Sequence, residues 1–300
     1  MRERVLYFYL GPRQRAMIAA RDGKILNRVV DTVAASGWRV VLLPEEARLA
    51  APMVDGYHLV LNREVPGPYC LSLRKCYMEP FWRIEATNDR WDWEVGGMAF
   101  DPAQGRVSHL AWFYNHWQKK LFEKTAIARD GFIFVPLQGK LDRHRSFQSM
   151  SPVEMILTTL EADRNRPVRA TLHPAETYTL EEIKAVADLA ARNPRLTLSD
   201  QPSITLLARC DYVVTQNSSM ALTGYFAGKP AVLFARADFH HIAGSVLRQG
   251  ISRAFATALG APPPYAEYLF WFFKRHAITS WDDDAQNRIR ARLTEHGWPV

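Results

Sequence analysis

Apolar runs alternate with amphipathic segments in two separate series along the chain. In the first series, Val5–Tyr9 is a β-branched and aromatic run, and Leu26–Ala35 has apolar residues at helical spacing before Gly37. Val40–Leu43 is a second strand-like run, and Val54–Leu61 is a third. Strand, helix and strand joined by short links are typical of a βαβ unit, so we predict a parallel sheet.

The stretch 62–106 keeps neither a period of 2 nor a period of 3.6. It is rich in Pro, Trp, Arg and acidic residues. A structureless segment of this length inside a globular protein is usually functional or an insertion. We therefore predict an irregular insertion here. Val107–Thr125 returns to helical spacing with many aromatic residues and is predicted to lead into a second domain.

The second series is more regular, and its helix starts are marked. Ser151-Pro152 with Glu154 forms a capping-box pattern, and Thr179 precedes two glutamates in the same way. We predict strands at Phe132–Leu137, Val168–Leu172, Leu196–Leu198, Tyr212–Thr215 and Ala231–Leu233, with helices between them. The predicted fold is α/β with two Rossmann-like domains, whose parallel sheets are flanked by helices. The predicted domains are 1–128 and 129–250, followed by a helical segment, 251–300.

Composition narrows the class of protein. Apolar residues make up 48% and charged residues 23%, as in folded globular chains. The three cysteines, Cys70, Cys76 and Cys210, lack metal-site or CxxC spacing, which favours a reducing compartment. Without a signal-peptide pattern or an apolar run of about 18 residues, the sequence favours a cytoplasmic protein. The net charge of +7 favours an acidic partner: a nucleotide, an anionic sugar, a membrane surface or nucleic acid.

Three polar turns follow predicted strands of the second series. They contain Gln138 with Asp142, His173-Pro174, and Asn217-Ser218-Ser219. Ligands of open α/β sheets bind beyond the carboxyl ends of the strands, so we expect these turns to share one edge. Ser218 and Ser219 precede a helix, where they are either phosphate ligands or ordinary N-caps. His173 is either a phosphate donor or structural, and GxGxxG and P-loop motifs are absent.

These motifs resemble one known family. The chain has Val135-Pro136-Leu137-Gln138 with Asp142, then His173-Pro174, then Asn217-Ser218-Ser219, and finally Gly228-Lys229-Pro230. This order resembles the capsular polysaccharide biosynthesis proteins, which include bacterial Kdo transferases of capsule assembly. The resemblance covers about a third of the chain, Phe132–Phe239.

The resemblance implies a GT-B type glycosyltransferase whose C-terminal helix crosses back to the first domain. It implies transfer of a Kdo-like sugar from a CMP-activated donor to a glycan or glycolipid acceptor, without a metal or other cofactor. His173 and the serine pair would hold the CMP phosphate. The implied substrate-binding residues are Gln138, Asp142, His173, Pro174, Asn217, Ser218, Ser219 and Thr223.

Thr223 departs from the family pattern, which has Glu at this position to hydrogen-bond the nucleotide ribose. This departure motivates an alternative hypothesis, a non-catalytic nucleotide- or glycan-binding partner of the same pathway. A third hypothesis, nucleic-acid binding, has only the net charge in its favour, because no recognisable module or dense basic stripe is present. Peripheral association with the inner membrane is left open.

The first domain would bring the acceptor and a catalytic acid or base. Candidates in the stretch 62–106 are Glu79, Asp89 and Asp92, and the choice among them stays open, as does retention or inversion. Glu85 and Glu94 are further acidic residues there. The interleaved Trp82, Trp91 and Trp93 either stack on sugar faces or belong to the core. His240-His241 is not expected to bind a metal, because adjacent side chains point in different directions.

Overall fold

The computed structural model describes residues 2–105 and 109–300. Its contacts divide the chain into two compact units. The first unit is Met1–Gly97 together with Phe272–Val300, and the second unit is Met98–Trp271. The division at 128 and 250 that we drew from the sequence stays a prediction about independently folding domains.

Twelve strands are described, in chain order: β1 Val5–Leu10, β2 Arg39–Pro44, β3 Tyr57–Leu61, β4 Cys70–Lys75, β5 Phe81–Glu85, β6 Ile133–Pro136, β7 Val168–Thr171, β8 Leu196–Leu198, β9 Tyr212–Thr215, β10 Ala231–Leu233, β11 Gly244–Ser245 and β12 Ile278–Thr279.

The α-helices of the described ranges are α1 Pro12–Ala19, α2 Ile25–Ala35, α3 Leu110–Phe122, α4 Pro152–Ala162, α5 Leu180–Arg192, α6 Ser203–Arg209, α7 Ser219–Tyr225, α8 Val246–Gln249, α9 Ile251–Leu259, α10 Tyr265–Leu269 and α11 Ala285–Glu295. The 3₁₀ segments of the described ranges are Glu45–Met53, Arg90–Asp92, Glu94–Gly97 and Pro102–Gly105, and Phe270–Arg275 is a π-helical turn.

The first unit contains a six-stranded sheet in the order β12-β5-β4-β3-β1-β2. Strands β2, β1, β3 and β4 are parallel, whereas β5 pairs antiparallel with both β4 and β12. Helix α11 packs against α2, and Val29, Ile289 and Leu293 are fully buried in the core. Each such side chain contributes about 1.5–3 kcal/mol by leaving water, so the last residues of the chain help to hold its first sheet.

The second unit contains a fully parallel six-stranded sheet in the order β11-β10-β9-β6-β7-β8. From β6 the chain moves outward through β7 to β8, and then returns to the other side of β6 with β9. The strand order therefore reverses between β6 and β9. Two mostly parallel sheets flanked by helices confirm the predicted fold class.

Helix starts in the second unit follow the sequence closely. Ser151 Oγ accepts a hydrogen bond from Glu154 N at 3.3 Å, and Glu154 Oε2 accepts one from Ser151 N at 2.7 Å. Thr179 and Glu182 form the same reciprocal pair at α5. Both capping boxes are therefore confirmed, and each satisfies backbone N–H groups that the first helical turn leaves unpaired.

The stretch 62–106 is less irregular than we predicted, because it contains β4 and β5. Both strands are buried on both faces over most of their length, so they lack the alternation that marks a half-exposed strand. Strand β5 also contains Arg83 and Glu85, which pair with each other at 3.2 Å inside the unit. Because of these two charged residues, the hydrophobic pattern did not indicate a buried strand at β5.

Two helix predictions also differ from the structure. Helix α1 was not predicted, because Ile18 alone is buried among its residues and it has no apolar stripe. The helix predicted at Val107–Thr125 is observed as α3, and its first residues, 107 and 108, lie outside the described residues. Within the described ranges, no helix combines the length and hydropathy needed to cross a membrane.

Candidate functional site

The three polar turns lie at the same edge of the second unit's sheet. Strands β9, β6 and β7 are neighbours and run parallel, so their carboxyl ends meet at one edge. Gln138 follows β6, His173 follows β7, and Gln216 begins the turn after β9. The reversal of strand order between β6 and β9 is where open α/β sheets form a binding crevice.

The turn after β6 contacts the turn after β7, and a hydrogen bond joins the ends of β6 and β9. A methyl group added to Gly139 would lie 2.4 Å from Glu176 Oε2, in the turn after β7. Leu141 N donates to Glu182 Oε1 of α5 at 2.6 Å. On the other side, Thr215 Oγ1 donates to the carbonyl of Pro136 at 3.1 Å. Segments that are far apart in sequence thus meet at this edge of the sheet.

The turn after β9 leads directly into α7. Ser218 is the N-cap of this helix, and its Oγ accepts from Met220 N at 3.3 Å. Ser219 is exposed at the first helical position. Asn217 Nδ2 donates to the carbonyl of Arg236 at 3.0 Å. Because α7 has only seven residues, its dipole alone does not define an anion site.

Small residues allow α7 to approach the sheet closely. A Cβ on Gly224 would stand 3.6 Å from Val213 Cγ2 of β9, and 3.0 Å from Leu207 Cδ1 of the neighbouring helix α6. Gly228 follows the helix with φ +64, the left-handed conformation that ends many helices. Thr223, which stands where the family pattern has Glu, is half-buried on α7.

His173 is exposed beyond the end of β7. Its Nδ1 accepts from Ala175 N at 3.2 Å, so in the neutral ring Nε2 carries the proton. Its backbone N–H donates to the Tyr178 hydroxyl at 2.8 Å, and burial raises the pKa of that tyrosine. Pro174 lines a neighbouring cavity of about 470 Å³ together with the loop 199–203. Asp142 is exposed in its turn.

Two amide oxygens at this edge have no hydrogen-bond partner within the described part of the chain. Gln216 is 1% exposed, and its Nε2 donates to the carbonyl of Met150 at 3.0 Å while its Oε1 is unpaired. Gln138 Oε1, at the end of the adjacent strand, is also unpaired. Buried acceptors without donors are rare in native proteins, so they favour a ligand that donates hydrogen bonds here.

Arg145 is a candidate that we did not predict from the sequence. It is half-buried, its guanidinium lies 4.8 Å from the centre of the Phe147 ring, and its Nε is buried without a partner among the described residues. Burial lowers the pKa of Arg145, and the nearby Glu176 carboxylate acts in the opposite direction. The sequence signal was the basic patch Lys140–Arg145, which equally suits a solvated surface.

The catalytic candidates of the first unit lie in different surroundings. Glu79 lines a cavity of about 530 Å³, whereas Asp89 and Asp92 are exposed near the 3₁₀ turn Arg90–Asp92 and do not line it. Trp93 is fully buried and packs as a core residue. Which of these carboxylates acts as the catalytic acid or base stays a prediction.

One group of possible metal ligands occurs among the described residues. Oxygen and nitrogen atoms of Glu85, Glu94 and His296 lie within 4.8 Å of one another. The guanidinium of Arg292 already lies among them, 3.5 Å from Glu85, 2.8 Å from Glu94 and 2.9 Å from His296. Because the Arg292 guanidinium already provides the positive charge between these side chains, we interpret the cluster as an ion-pair network and do not propose a metal site there.

The side chains of His240 and His241 do not point apart as we expected, because their rings are stacked with centroids 4.4 Å apart. His240 Nδ1 bonds the carbonyl of Ala237 at 2.7 Å, and burial lowers the pKa of His240. His241 contacts the Tyr268 hydroxyl and the carbonyl of Met98, each at 3.0 Å.

Comparison with known proteins gives a structural resemblance only. No protein-family model matches the chain, and no curated protein does. Among solved structures, the chain is similar to the β-Kdo 2,7-transferase of Thermosulfurimonas dismutans KpsC, with TM-score 0.53 and 14% identity over 97% of this chain and 99% of that chain. The β-Kdo 2,4-transferase of the same protein gives TM-score 0.45 and 12% identity over 87% and 88%. The first similarity shows a GT-B, glycosyltransferase-type fold.

Proposed function

We propose that this protein transfers a Kdo-like sugar from a CMP-activated donor to a surface glycan or glycolipid, with the nucleotide bound by the second unit. The observation that carries the proposal is the meeting of three polar turns where the strand order reverses. The fold shared with a Kdo transferase supports the same reaction class, although fold alone does not assign chemistry.

The donor's phosphate would lie between the turns after β9 and β7. Exposed Ser219, the Nε2–H of His173 and the half-buried Arg145 supply hydrogen-bond donors and positive charge. Fixed donors of this kind stabilise a departing phosphate without a divalent cation. The unpaired oxygens of Gln216 and Gln138 would accept from ribose hydroxyls or a base amine. The cavity at Pro174 has room for the base.

The alternative is a nucleotide- or glycan-binding protein without transferase activity. Thr223 favours it, because a half-buried threonine is too short to replace a glutamate that holds the ribose. Release of CMP from CMP-Kdo separates the two functions, because a pure binder shows a thermal shift with CMP and no turnover. If ribose contact is what Thr223 fails to supply, Thr223→Glu should increase CMP affinity.

Thermal stabilisation by nucleotides tests binding directly. A ligand at a hundredfold excess over its Kd stabilises the folded state by about 2.7 kcal/mol, so CMP should raise Tm measurably. Absence of any response to CMP, CDP or UMP by the folded protein would refute the transferase and the nucleotide-binding form of the alternative.

Ser218 allows a matched pair of variants. Asp and Asn both replace Ser well at an N-cap, so Ser218→Asn and Ser218→Asp should fold alike. Only Asp adds a negative charge where the phosphate would lie. We expect CMP binding to weaken at least tenfold in Ser218→Asp relative to Ser218→Asn, and equal binding by both would place the phosphate elsewhere.

A further inference from the structure

A second cavity lies within the first unit, at the reversal of its own strand order. It has a volume of about 530 Å³, within the usual range for ligand pockets. It is lined by helix α1, the loop between α1 and α2, the carboxyl ends of β3 and β4, and Ser280 and Trp281, which follow β12. Strands β2 and β3 flank β1 on opposite sides, so this edge has the topology of a binding crevice.

One wall of the cavity joins an aromatic face to a charged edge. Trp82 is nearly buried, and its Nε1–H donates to Glu79 Oε2 at 3.0 Å. Lys75 Nζ lies 3.3 Å from Glu79 Oε1 and 5.9 Å from the centre of the Trp82 ring. Trp281 adds an indole that is 53% exposed. Indoles pack against the C–H face of a sugar ring, and the carboxylate and ammonium at their edge bond its hydroxyls.

The charges of the cavity favour a negative ligand. Its cations are Arg13, Lys24 and Lys75, and its carboxylates are Asp22 and Glu79. Lys75 and Glu79 pair with each other, whereas Arg13 and Lys24 form no ion pair in the described ranges. Two unpaired cations beside one remaining carboxylate leave the cavity one positive charge in excess.

A buried hydroxyl provides an independent sign of a ligand. Ser280 lines the cavity, is 3% exposed, and its Oγ finds no hydrogen-bond partner among residues 2–105 and 109–300. Its backbone N–H is fixed by the carbonyl of Pro80 at 2.9 Å. A buried hydroxyl left unpaired is unfavourable, and a ligand hydroxyl or carboxylate would satisfy it.

We infer that this cavity binds a saccharide bearing one negative charge, either a carboxylate or a phosphate. The ring lies against Trp82 and Trp281, its acidic group faces Arg13 and Lys24, and a ring substituent pairs with Ser280. The inference rests on the proposed function in that a transferase of this kind would bind its acceptor in the first unit, and it can fail separately because the saccharide site needs no nucleotide.

Ligand-observed NMR titrations test the site with three simple probes: methyl glucuronide for the carboxylate, glucose 6-phosphate for the phosphate, and methyl glucoside as the neutral sugar. We expect at least one anionic probe to bind tenfold or more tightly than the neutral sugar. The stronger anion identifies which acidic group the cavity accepts. Equal affinity for all three probes, or saturable binding by none, overturns the inference.

Two double variants with the same charge change locate the site. Arg13→Gln/Lys24→Gln removes the unpaired cations, whereas Arg4→Gln/Arg39→Gln removes two exposed arginines that do not line the cavity. Only Arg13→Gln/Lys24→Gln should abolish the preference for the anionic probe. An equal loss of this preference in both double variants would mean that it comes from the long-range charge of the protein. Ser280→Ala should weaken binding of the preferred probe several-fold; unchanged binding removes Ser280 from the site.

Thermal stabilisation by CMP serves as the internal reference. If it persists in Arg13→Gln/Lys24→Gln, the variant is folded and the saccharide result concerns the cavity alone. A CMP response without any saccharide binding rejects this inference and leaves the proposed function standing. Saccharide binding without a CMP response supports this inference and rejects the proposed nucleotide site.

Discussion

Replacing Arg292 with Leu should destabilise the first unit more than any exposed charge removal on the same helix. Arg292 on α11 bonds Glu94 at 2.8 Å and Glu295 at 2.6 Å, lies 3.5 Å from Glu85, and donates to the carbonyl of Ile84 at 3.1 Å. Its partners differ greatly in exposure. Glu85 is 2% exposed, whereas Glu94 and Glu295 are about half exposed, at 46% and 57%.

The magnitude follows from that difference. The exposed pairs contribute about 0–1 kcal/mol each, because water screens them. Breaking a buried pair costs about 3–5 kcal/mol, because it leaves one charge buried without compensation. Arg83 still lies 3.2 Å from Glu85, so we expect the low end, about 3 kcal/mol. At about 2–4 °C per kcal/mol, Tm should fall by about 6–12 °C.

Thermal and urea unfolding, followed by circular dichroism, measure the effect. Arg290→Leu is the matched control, because Arg290 is exposed on α11 and its loss changes the net charge equally. Adding Glu85→Leu to Arg292→Leu should destabilise the protein further, because it leaves the buried Arg83 guanidinium without its counter-charge. If Arg292→Leu and Arg290→Leu unfold within about 0.5 kcal/mol of each other, an amount typical of surface substitutions, the ion-pair reasoning is refuted.

Three further predictions concern single sites. Burial and nearby arginines lower the pKa of His276 to about 4. Because the unfolded side chain titrates near 6.5, stability should be full above pH 6.5 and decline toward pH 4. At about 1.4 kcal/mol per pH unit, the loss is at most about 3.5 kcal/mol. His276→Gln should flatten this slope in unfolding measured against pH. Gly244→Ala would place a Cβ 1.9 Å from a backbone oxygen of α9, so it should lower the free energy of unfolding by about 1–3 kcal/mol or more. Its control is Gly97→Ala, whose Cβ would meet nothing within 4 Å and which should unfold like the wild type. Lys229 Nζ donates to the carbonyls of Cys210 and Ala128 inside the second unit. Lys229→Met should therefore lower the free energy of unfolding by about 2–4 kcal/mol, because it leaves these two acceptors unpaired. A Tm equal to that of the wild type would contradict this role.

The second unit could be predicted from the sequence because local and tertiary signals agree there. Its strands are short apolar runs, and the capping residues Ser151 and Thr179 mark where helices begin. The three polar turns could be placed at one edge, because parallel strands share their direction. Their mutual contacts, such as Gly139 with Glu176, depend on side-chain positions that a linear pattern does not contain.

The first unit was harder to predict for identifiable reasons. Strand β5 carries Arg83 and Glu85 inside the protein, and a charged pair in an apolar strand contradicts the usual pattern. The cavity around Glu79 is assembled from segments as distant as Arg13 and Ser280. Such a site follows from topology, because residues far apart in sequence meet only after the sheet forms. Glu79 could therefore be named from the sequence as an acid, but not as part of a cavity.

The pairing of β12 with β5 and the packing of α11 on α2 have a consequence for biosynthesis. During translation, residues 98–271 form one uninterrupted stretch that can collapse as soon as it leaves the ribosome. The sheet of the first unit, although most of its strands are made before residue 98, lacks β12 and the covering helix α11 until residues 278–295 have been made. A chaperone that shields exposed apolar surface would therefore be expected to hold residues 1–97 longer than residues 98–271.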